Sequence, residues 1–373
     1  MISTKILYNA VFKTDEVNDI HKFQPLPQPS GSYPYRLELA REVALKNPER
    51  MVFHMVGDTG GSKPGDLQRQ VAGKMAAQYL LATEEKDRPA FLYHLGDIVY
   101  HYGEAEQYND QFLKPFESYP GPIFAIAGNH DSDVNPESEA HYESLEAFYT
   151  AFCNTCPKTI YFGPDGGRKS QVQPHVYWTM QAPLATVIGL HTNVPKYGHI
   201  KEEQRNWFIK ELQHAARFHP DKAIIVCMHH APYSADVNHG SSLPMIEFLD
   251  SAYEEAGVKP DIVFSGHVHN YQRFNKQYND GKTVPYIVAG AGGFDELHQL
   301  ANPYDPMFCM ESKLLNQVQL ENYCDNRHGF LKVAVDKDAD GLRISGEYYT
   351  IPQQNTIEGP VLFDHFTVNL AGR

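Results

Sequence analysis

Cysteine is sparse and its pattern incomplete: the 373-residue chain has five, an odd number, with one Cys-x-x-Cys spacing at Cys153–Cys156. No second pair stands at zinc spacing and no clear βαβ context surrounds the first. The spacing therefore reads as ordinary thiols or one local disulfide rather than a redox motif. Cys309 and Cys324 flank an irregular stretch and form a second candidate pair. Long apolar runs are also missing. None approaches the roughly 20 residues of a membrane span, so no membrane partner is expected. The opening Met1-Ile2-Ser3-Thr4-Lys5-Ile6 lacks the basic segment and apolar core of a secretory leader. A cytoplasmic protein is the expectation; with a leader already removed, a secreted or periplasmic one fits equally. Positive charge is short as well. Lys and Arg number 32 against 46 Asp and Glu, a formal charge of −14. There is no basic cluster, so an extended nucleic-acid partner is not expected. A small anion remains compatible, because bound cations can dominate local charge.

What is present is a recurring design. Phe91-Leu92-Tyr93-His94-Leu95 is an apolar run of strand length that stops at Gly96-Asp97, with Tyr100 three residues on. A buried strand that ends in glycine and a carboxylate places that carboxylate beyond its C-terminal end, where open α/β sheets put their chemistry. Four other stretches repeat the plan: Gly57-Asp58-Thr59-Gly60, Gly128-Asn129-His130-Asp131, His229-His230-Ala231-Pro232 and Gly266-His267-Val268-His269-Asn270-Tyr271. Each follows an apolar stretch of strand length. The chain also has 19 histidines, several of them at these ends.

Periodicity places the elements between. Residues 1–50 read as an extended N-terminal arm around Gln24-Pro25-Leu26-Pro27-Gln28-Pro29, with a short helix over 36–45. A single domain over 51–370 follows. Strands are expected at 51–56, 123–127, 185–191, 223–228 and 261–265. Helices are expected at 67–81, 105–114, 137–152, 202–217 and 243–256. Residues 132–180 are a candidate lid or specificity insert, and 295–325 a second irregular insert. Late strands at 285–289, 330–335, 342–350 and 361–368, without long helices between them, predict a second, partly antiparallel sheet. The fold class is α/β: a four-layer α/β/β/α sandwich of two mixed sheets, with a dinuclear metal site at the strand ends.

The five ends offer carboxylates, a phenol, an amide oxygen and imidazoles. That mixture suits iron, zinc or manganese, and suits neither calcium nor a thiolate zinc site. Singly, each has a bland explanation. Gly-Asp is common in loops, Gly-Asn-His in capped turns, and paired histidines in satisfied cores. His267 and His269 are stronger, since alternate residues of an extended chain share a face. All five together, each at a strand end, outweigh coincidence.

The ordered set GDxG, GDxxY, GNHD, HxP and GHxHxY resembles the calcineurin-like metallophosphoesterase superfamily, and within it the purple acid phosphatases. Most of that superfamily opens with Asp-x-His. Here Asp58-Thr59-Gly60 has glycine in that place and Tyr100 is available instead, the exchange that marks the purple acid phosphatases. The resemblance implies that Asp58, Asp97, Tyr100 and His269 bind a first metal. Asp97 would bridge to a second, held by Asn129, His230 and His267. His229 competes with His230: a Val-x-x-His frame from Val226 selects His229, whereas the His-x-Pro frame selects His230 and is preferred. His239, nine residues beyond His230 and followed by Gly240, supports that choice. His130 and His239 correspond to the family's non-ligand histidines near the leaving group, with a purely orienting role as the alternative for His130.

The implied chemistry is hydrolysis of phosphate monoesters. Iron(III) would occupy the hard, phenolate-containing site and a divalent iron, zinc or manganese the other. Two adjacent cations acidify a water, the resulting hydroxide attacks phosphorus in line, and the leaving alkoxide takes a proton from histidine. The expected partner is a small phosphate ester. Rival readings are a phosphodiesterase or nucleotide pyrophosphatase on the same scaffold, a nuclease, and a non-catalytic binding protein with a degenerate site. Arg273 could contact a phosphate, with a surface or structural ion pair the preferred reading, and Tyr197 and His199 are candidate pocket walls.

Overall fold

The computed structural model describes residues 7–15, 17–45, 47–61, 66–352 and 359–371; residues 1–6, 16 and 46 of the expected arm lie outside the described residues. In the arm, strand β1 (Phe12–Lys13) is followed by β2 (Arg36–Glu38) and a single helical turn, α1 (Leu39–Glu42). The expected strand–helix–strand opening is β3 (Arg50–Val56), α2 (Asp66–Leu81) and β4 (Leu92–His94). Next come α3 (Ala105–Tyr108), continued by a wide turn over Asn109–Leu113, then β5 (Ile123–Ala125) and the one-turn α4 (Asn129–Ser132). Helix α5 (Glu146–Phe152) precedes β6 (Trp178–Gln181) and β7 (Ala185–Gly189). Then follow α6 (Glu202–Phe218), β8 (Ala223–Met228), α7 (Leu243–Ala256) and β9 (Ile262–Ser265). The chain continues through β10 (Tyr271–Gln277), β11 (Thr283–Ala289), β12 (Phe308–Cys309) and β13 (Val318–Cys324). It closes with β14 (Gly329–Asp338), β15 (Gly341–Thr350) and β16 (Val361–Ala371).

Two mixed sheets result. One has the order β16-β15-β14-β3-β4-β5 and the other β13-β10-β11-β9-β8-β7-β6-β2, while β1 and β12 form a separate ribbon. Each sheet contains a run of parallel strands: β3 with β4 and β4 with β5 at one side of the first, β7 with β8 and β8 with β9 within the second. Parallel strands covered on both faces read as continuous apolar runs, and β8 (Ala-Ile-Ile-Val-Cys-Met) is buried at every residue. The sheets meet through large rings. Tyr93 of β4 stacks on Trp178 of β6 at 6.0 Å, and Tyr271 of β10 stacks on Tyr348 of β15 at 3.9 Å. The Trp178 indole donates to the Ala125 carbonyl across the same interface at 3.2 Å.

Several expectations need correction. The late strands do not build a sheet of their own. Strand β14 pairs antiparallel with β3, Val333 opposite Phe53, while β10, β11 and β13 extend the other sheet. The helix expected over 36–45 is instead a strand and one turn, because Leu37 pairs with Met180 at the sheet edge and the Arg36 guanidinium grips Glu211 at 2.9 and 2.7 Å. The helix expected from 137 begins only at Glu146, after Leu145 adopts a left-handed φ of 66°. Strand β13 lies inside the stretch read as irregular; its Val-Gln-Leu-Glu-Asn-Tyr-Cys sequence is that of a half-exposed edge strand. All five cysteines are free. No helix among the described residues is long and apolar enough to cross a membrane.

His54 on β3 shows how the core treats charge. It is fully buried, with its ring nitrogens 3.1 Å from the Tyr119 hydroxyl and 3.1 Å from the Gln78 amide oxygen. Burial pushes its pKa down to about 3, against the opposing hydrogen bond with Gln78. The unfolded chain therefore binds a proton that the folded chain refuses. Stability is fully present above pH ~6.5 and is lost as pH falls toward 3, at up to about 1.4 kcal/mol per pH unit. A series of thermal melts is expected to show Tm falling below pH 6.5, with a shallower fall in His54→Gln; equal slopes would contradict this origin.

Candidate metal centre

Five loops leave the carboxyl ends of β3, β4, β5, β8 and β9 and converge between the sheets. Their backbones touch. Asp58 N donates to Gly96 O at 2.9 Å, and Gly266 N to His229 O at 3.0 Å. Such approach needs glycine: a Cβ on Gly96, whose φ is +97°, would lie 2.6 Å from Gly128 N and 2.6 Å from His229 Nδ1. Three residues that follow glycines take left-handed φ despite carrying side chains: Asp58 at 57°, Asp97 at 53° and His267 at 69°. Each such conformation costs on the order of 1 kcal/mol and persists where surrounding contacts impose it. One such contact is the Asp58 carboxylate, which accepts the His267 N–H at 3.0 and 2.9 Å.

The side chains form two abutting sets. In the first, the Tyr100 hydroxyl lies 3.0 Å from Asp97 Oδ2, 3.3 Å from Asp58 Oδ1 and 3.1 Å from His269 Nε2. His269 Nδ1 donates to Glu296 O at 3.2 Å, which leaves Nε2 as the lone-pair nitrogen facing that hydroxyl. In the second, Asn129 Oδ1 lies 3.1 Å from His229 Nε2 and 2.9 Å from His267 Nδ1. His229 Nε2 also lies 3.2 Å from Asp97 Oδ2. Asp97 thus belongs to both sets, and Asp97, His229 and His267 form a buried cluster able to hold a metal.

His229, not the preferred His230, occupies the second set. His229 Nδ1 donates to Leu95 O at 2.8 Å, from the opposite sheet, and this turns Nε2 toward Asp97 and Asn129. The His230 ring lies over His267 at 4.2 Å, with Nδ1 2.7 Å from the Thr192 hydroxyl and no hydrogen-bond partner at Nε2 among the described residues. His130 and His239 lie beside these sets. His130 lies against Tyr100 at 4.3 Å and donates from Nδ1 to His101 O at 2.7 Å. His239 lies against His267 at 4.1 Å. Arg273 is outside the site, paired with Asp364 at 2.8 Å.

Three supporting residues were not assigned from sequence. Asp131 accepts the N–H groups of Ile98 and Gly128 at 3.0 and 2.8 Å, tying the loops after β4 and β5 together. Gln111 accepts Gly61 N–H and Tyr100 N–H at 3.0 and 2.8 Å and donates to Tyr100 O at 2.7 Å. Phe294 covers Tyr100 and His269, each ring at 4.3 Å. Asp131 stands in the Gly-Asn-His-Asp motif, so a signal for it existed; Gln111 and Phe294 carry none.

Electrostatics test whether these residues fit a cation. With its tautomer set by Leu95, neutral His229 would aim a lone pair at two further acceptors, a repulsive arrangement. Burial opposes a charge on His229, yet Asp97 and Asp58 outweigh it and raise its pKa to about 9. Burial also raises Asp97, but the His229 and His130 imidazoles more than offset this and hold its carboxyl below the usual range. Burial, with Asp97 and Asp58, pushes the Tyr100 phenol well above its ordinary value. The site therefore calls for positive charge at its centre, and its oxygen and imidazole donors fit a transition metal there.

Comparison with known proteins agrees with this geometry. Residues 12–271 match the family model described as calcineurin-like phosphoesterase. Purple acid phosphatase 15 of Arabidopsis thaliana is 24% identical over 326 residues, covering 83% of this chain and 54% of that protein. Purple acid phosphatase 21 of the same plant is 32% identical over 124 residues, 32% of this chain and 27% of that one. The chain thus spans about half the length of the first of these relatives and less of the second. A solved structure described as GAP50, the anchor in the inner membrane complex of Plasmodium, superposes with a TM-score of 0.57 at 15% identity, covering 86% of this chain and 89% of that one. The family match covers most of the chain, including all five loops, and the chain belongs to the calcineurin-like phosphoesterase family.

Proposed function

We propose that the protein is a metal-dependent phosphoester hydrolase that prefers small phosphate monoesters. The observation that carries this reading is the pair of abutting donor sets that share Asp97. Asp58, Asp97, Tyr100 and His269 would hold iron(III). Asp97, Asn129, His229 and His267 would hold a divalent iron, zinc or manganese, with His229 replacing His230. When bound, two such cations supply Lewis acidity toward water and neutralise phosphoryl oxygens.

The chain's own residues do the rest. Leu95 O and Glu296 O fix the tautomers of His229 and His269, so that both Nε2 atoms face inward. The backbone N–H of His130 donates to Asp97 Oδ1 at 2.9 Å and steadies the shared carboxylate. With Nδ1 donating to His101 O, His130 has Nε2 left, and it would hand a proton to a leaving alkoxide only from the imidazolium form, which carries a proton on each nitrogen. His239 lies against the other donor set, with Nδ1 lacking a protein partner among the described residues. It is the second candidate for that transfer. The anchoring role in the description of the Plasmodium structure belongs to that protein; the complete donor set here favours catalysis.

Hydrolysis of p-nitrophenyl phosphate and bis-p-nitrophenyl phosphate, across pH on metal-analysed protein, tests the reading. The monoester is expected to be preferred at acidic pH with iron bound. Preference for the diester, or an alkaline optimum with manganese or zinc, would make it a phosphodiesterase; inactivity on both would contradict the proposal.

Two substitutions separate the adjacent histidines. His229→Ala is expected to deplete one metal and lower kcat/KM by more than about 100-fold, beyond what orienting residues usually cost; His230→Ala should cost less than about tenfold. The reverse ranking in metal content would restore His230 as the ligand. Tyr100→Phe should abolish the visible absorption of the iron-loaded protein, and a wild-type iron form with no visible band would refute the Tyr100 assignment.

A further inference from the structure

A second pair of residues spans the site without belonging to either donor set. The loop after β11 brings His298 against His269, with ring centroids 4.2 Å apart and planes within 25°. The contact is reinforced from the backbone. His298 N donates to His269 O at 3.0 Å, and the Asn270 amide donates to His298 O at 2.8 Å. His298 Nδ1 also lies 3.2 Å from Asp236 Oδ2.

Asp236 is fully buried in the loop between β8 and α7. Its carboxylate accepts the N–H groups of Asn238 at 2.9 Å, His239 at 3.2 Å and Gly240 at 2.8 Å, and the Ser234 hydroxyl at 3.0 Å. These bonds shape the turn that presents His239. The His239 ring stands 5.2 Å from His298 and 4.1 Å from His267. A carboxylate that only capped this turn would have enough partners in the turn itself. The additional bond to His298, from a segment some sixty residues further along the chain, links the turn to the other side of the site.

We propose that His298 and Asp236 form a positioning pair that holds His239, beside the second donor set, in register with His269 of the first. The inference rests on the proposed hydrolytic function. Neither residue lies in the recurring motifs, and neither touches the bridging Asp97 in a described contact. Both act through their neighbours: Asp236 through the His239 turn, and His298, anchored on the face of His269, through its bond to Asp236.

His298→Phe tests this on the metal-loaded full chain with p-nitrophenyl phosphate. Phenylalanine keeps a ring against His269 and removes the 3.2 Å contact of Nδ1 with Asp236, along with the longer 3.4 Å approach of the His269 N–H to the same nitrogen. The expected result is an approximately tenfold fall in kcat with KM within about twofold and metal content unchanged. In a His239→Ala background the same change should cost less than about twofold, because the pair acts through that ring. Should His298→Phe fail to fold, Asp236→Asn, which preserves shape, is measured in the same cycle. Wild-type kcat in the variant, an equal fold loss in both backgrounds, or a loss that follows lost metal would overturn the proposal. An inactive, metal-loaded wild type would instead overturn the hydrolytic reading itself.

Discussion

Asp97 is where the electrostatic demands of the whole site meet. Its Oδ2 atom is 3.0 Å from the Tyr100 hydroxyl and 3.2 Å from His229 Nε2, so two donor sets share one buried carboxylate. Acceptors gathered at such a point repel one another unless positive charge lies among them. Asp97 and Asp58 raise the pKa of His229 to about 9 in answer to that demand, and bound cations would answer it as well. The rest of the architecture serves this point. Two sheets deliver five strand ends to it, glycines let those ends approach, and three non-glycine residues accept left-handed conformations so that their side chains or backbone groups turn inward.

The supports are polar and buried. Asp131 ties the β4 and β5 loops, Gln111 clamps the backbone of Tyr100, and Asp236 shapes the His239 turn. Each satisfies several backbone groups at once, which makes a buried polar network rigid rather than costly. Phe294 and His298 both lie against the His269 ring, so the β11–β12 loop joins the site although it follows the last motif. Acid tolerance has a separate limit. Neutral buried histidines such as His54 make the fold itself lose stability at low pH, so activity and stability need not share an optimum.

Much of the site was legible because its signals are local. A strand that ends in Gly-Asp or Gly-Asn-His carries both its turn chemistry and its donor within four residues, and all five such ends converge. The choice between His229 and His230 was not local. Two sequence frames lie one residue out of phase, and the Leu95 carbonyl of the facing sheet decides which ring turns inward. Gln111 and His298 were illegible for the same reason: their roles exist only once distant segments meet. The two-sheet α/β class was readable from strand and helix periodicity. Sheet membership was not, because the pairing of β14 with β3 joins residues about 280 apart in the chain. Edge strands β2 and β13, short or half-polar, gave too little apolar pattern to be assigned.

The most direct measurement is anomalous diffraction from crystals of the metal-loaded protein at the absorption edges of iron, zinc and manganese. Two peaks a few ångströms apart are predicted. One should lie among Asp58, Tyr100 and His269, the other among Asn129, His229 and His267, with Asp97 between them. A single peak, no peak, or a second metal held by His230 in place of His229 would contradict the account.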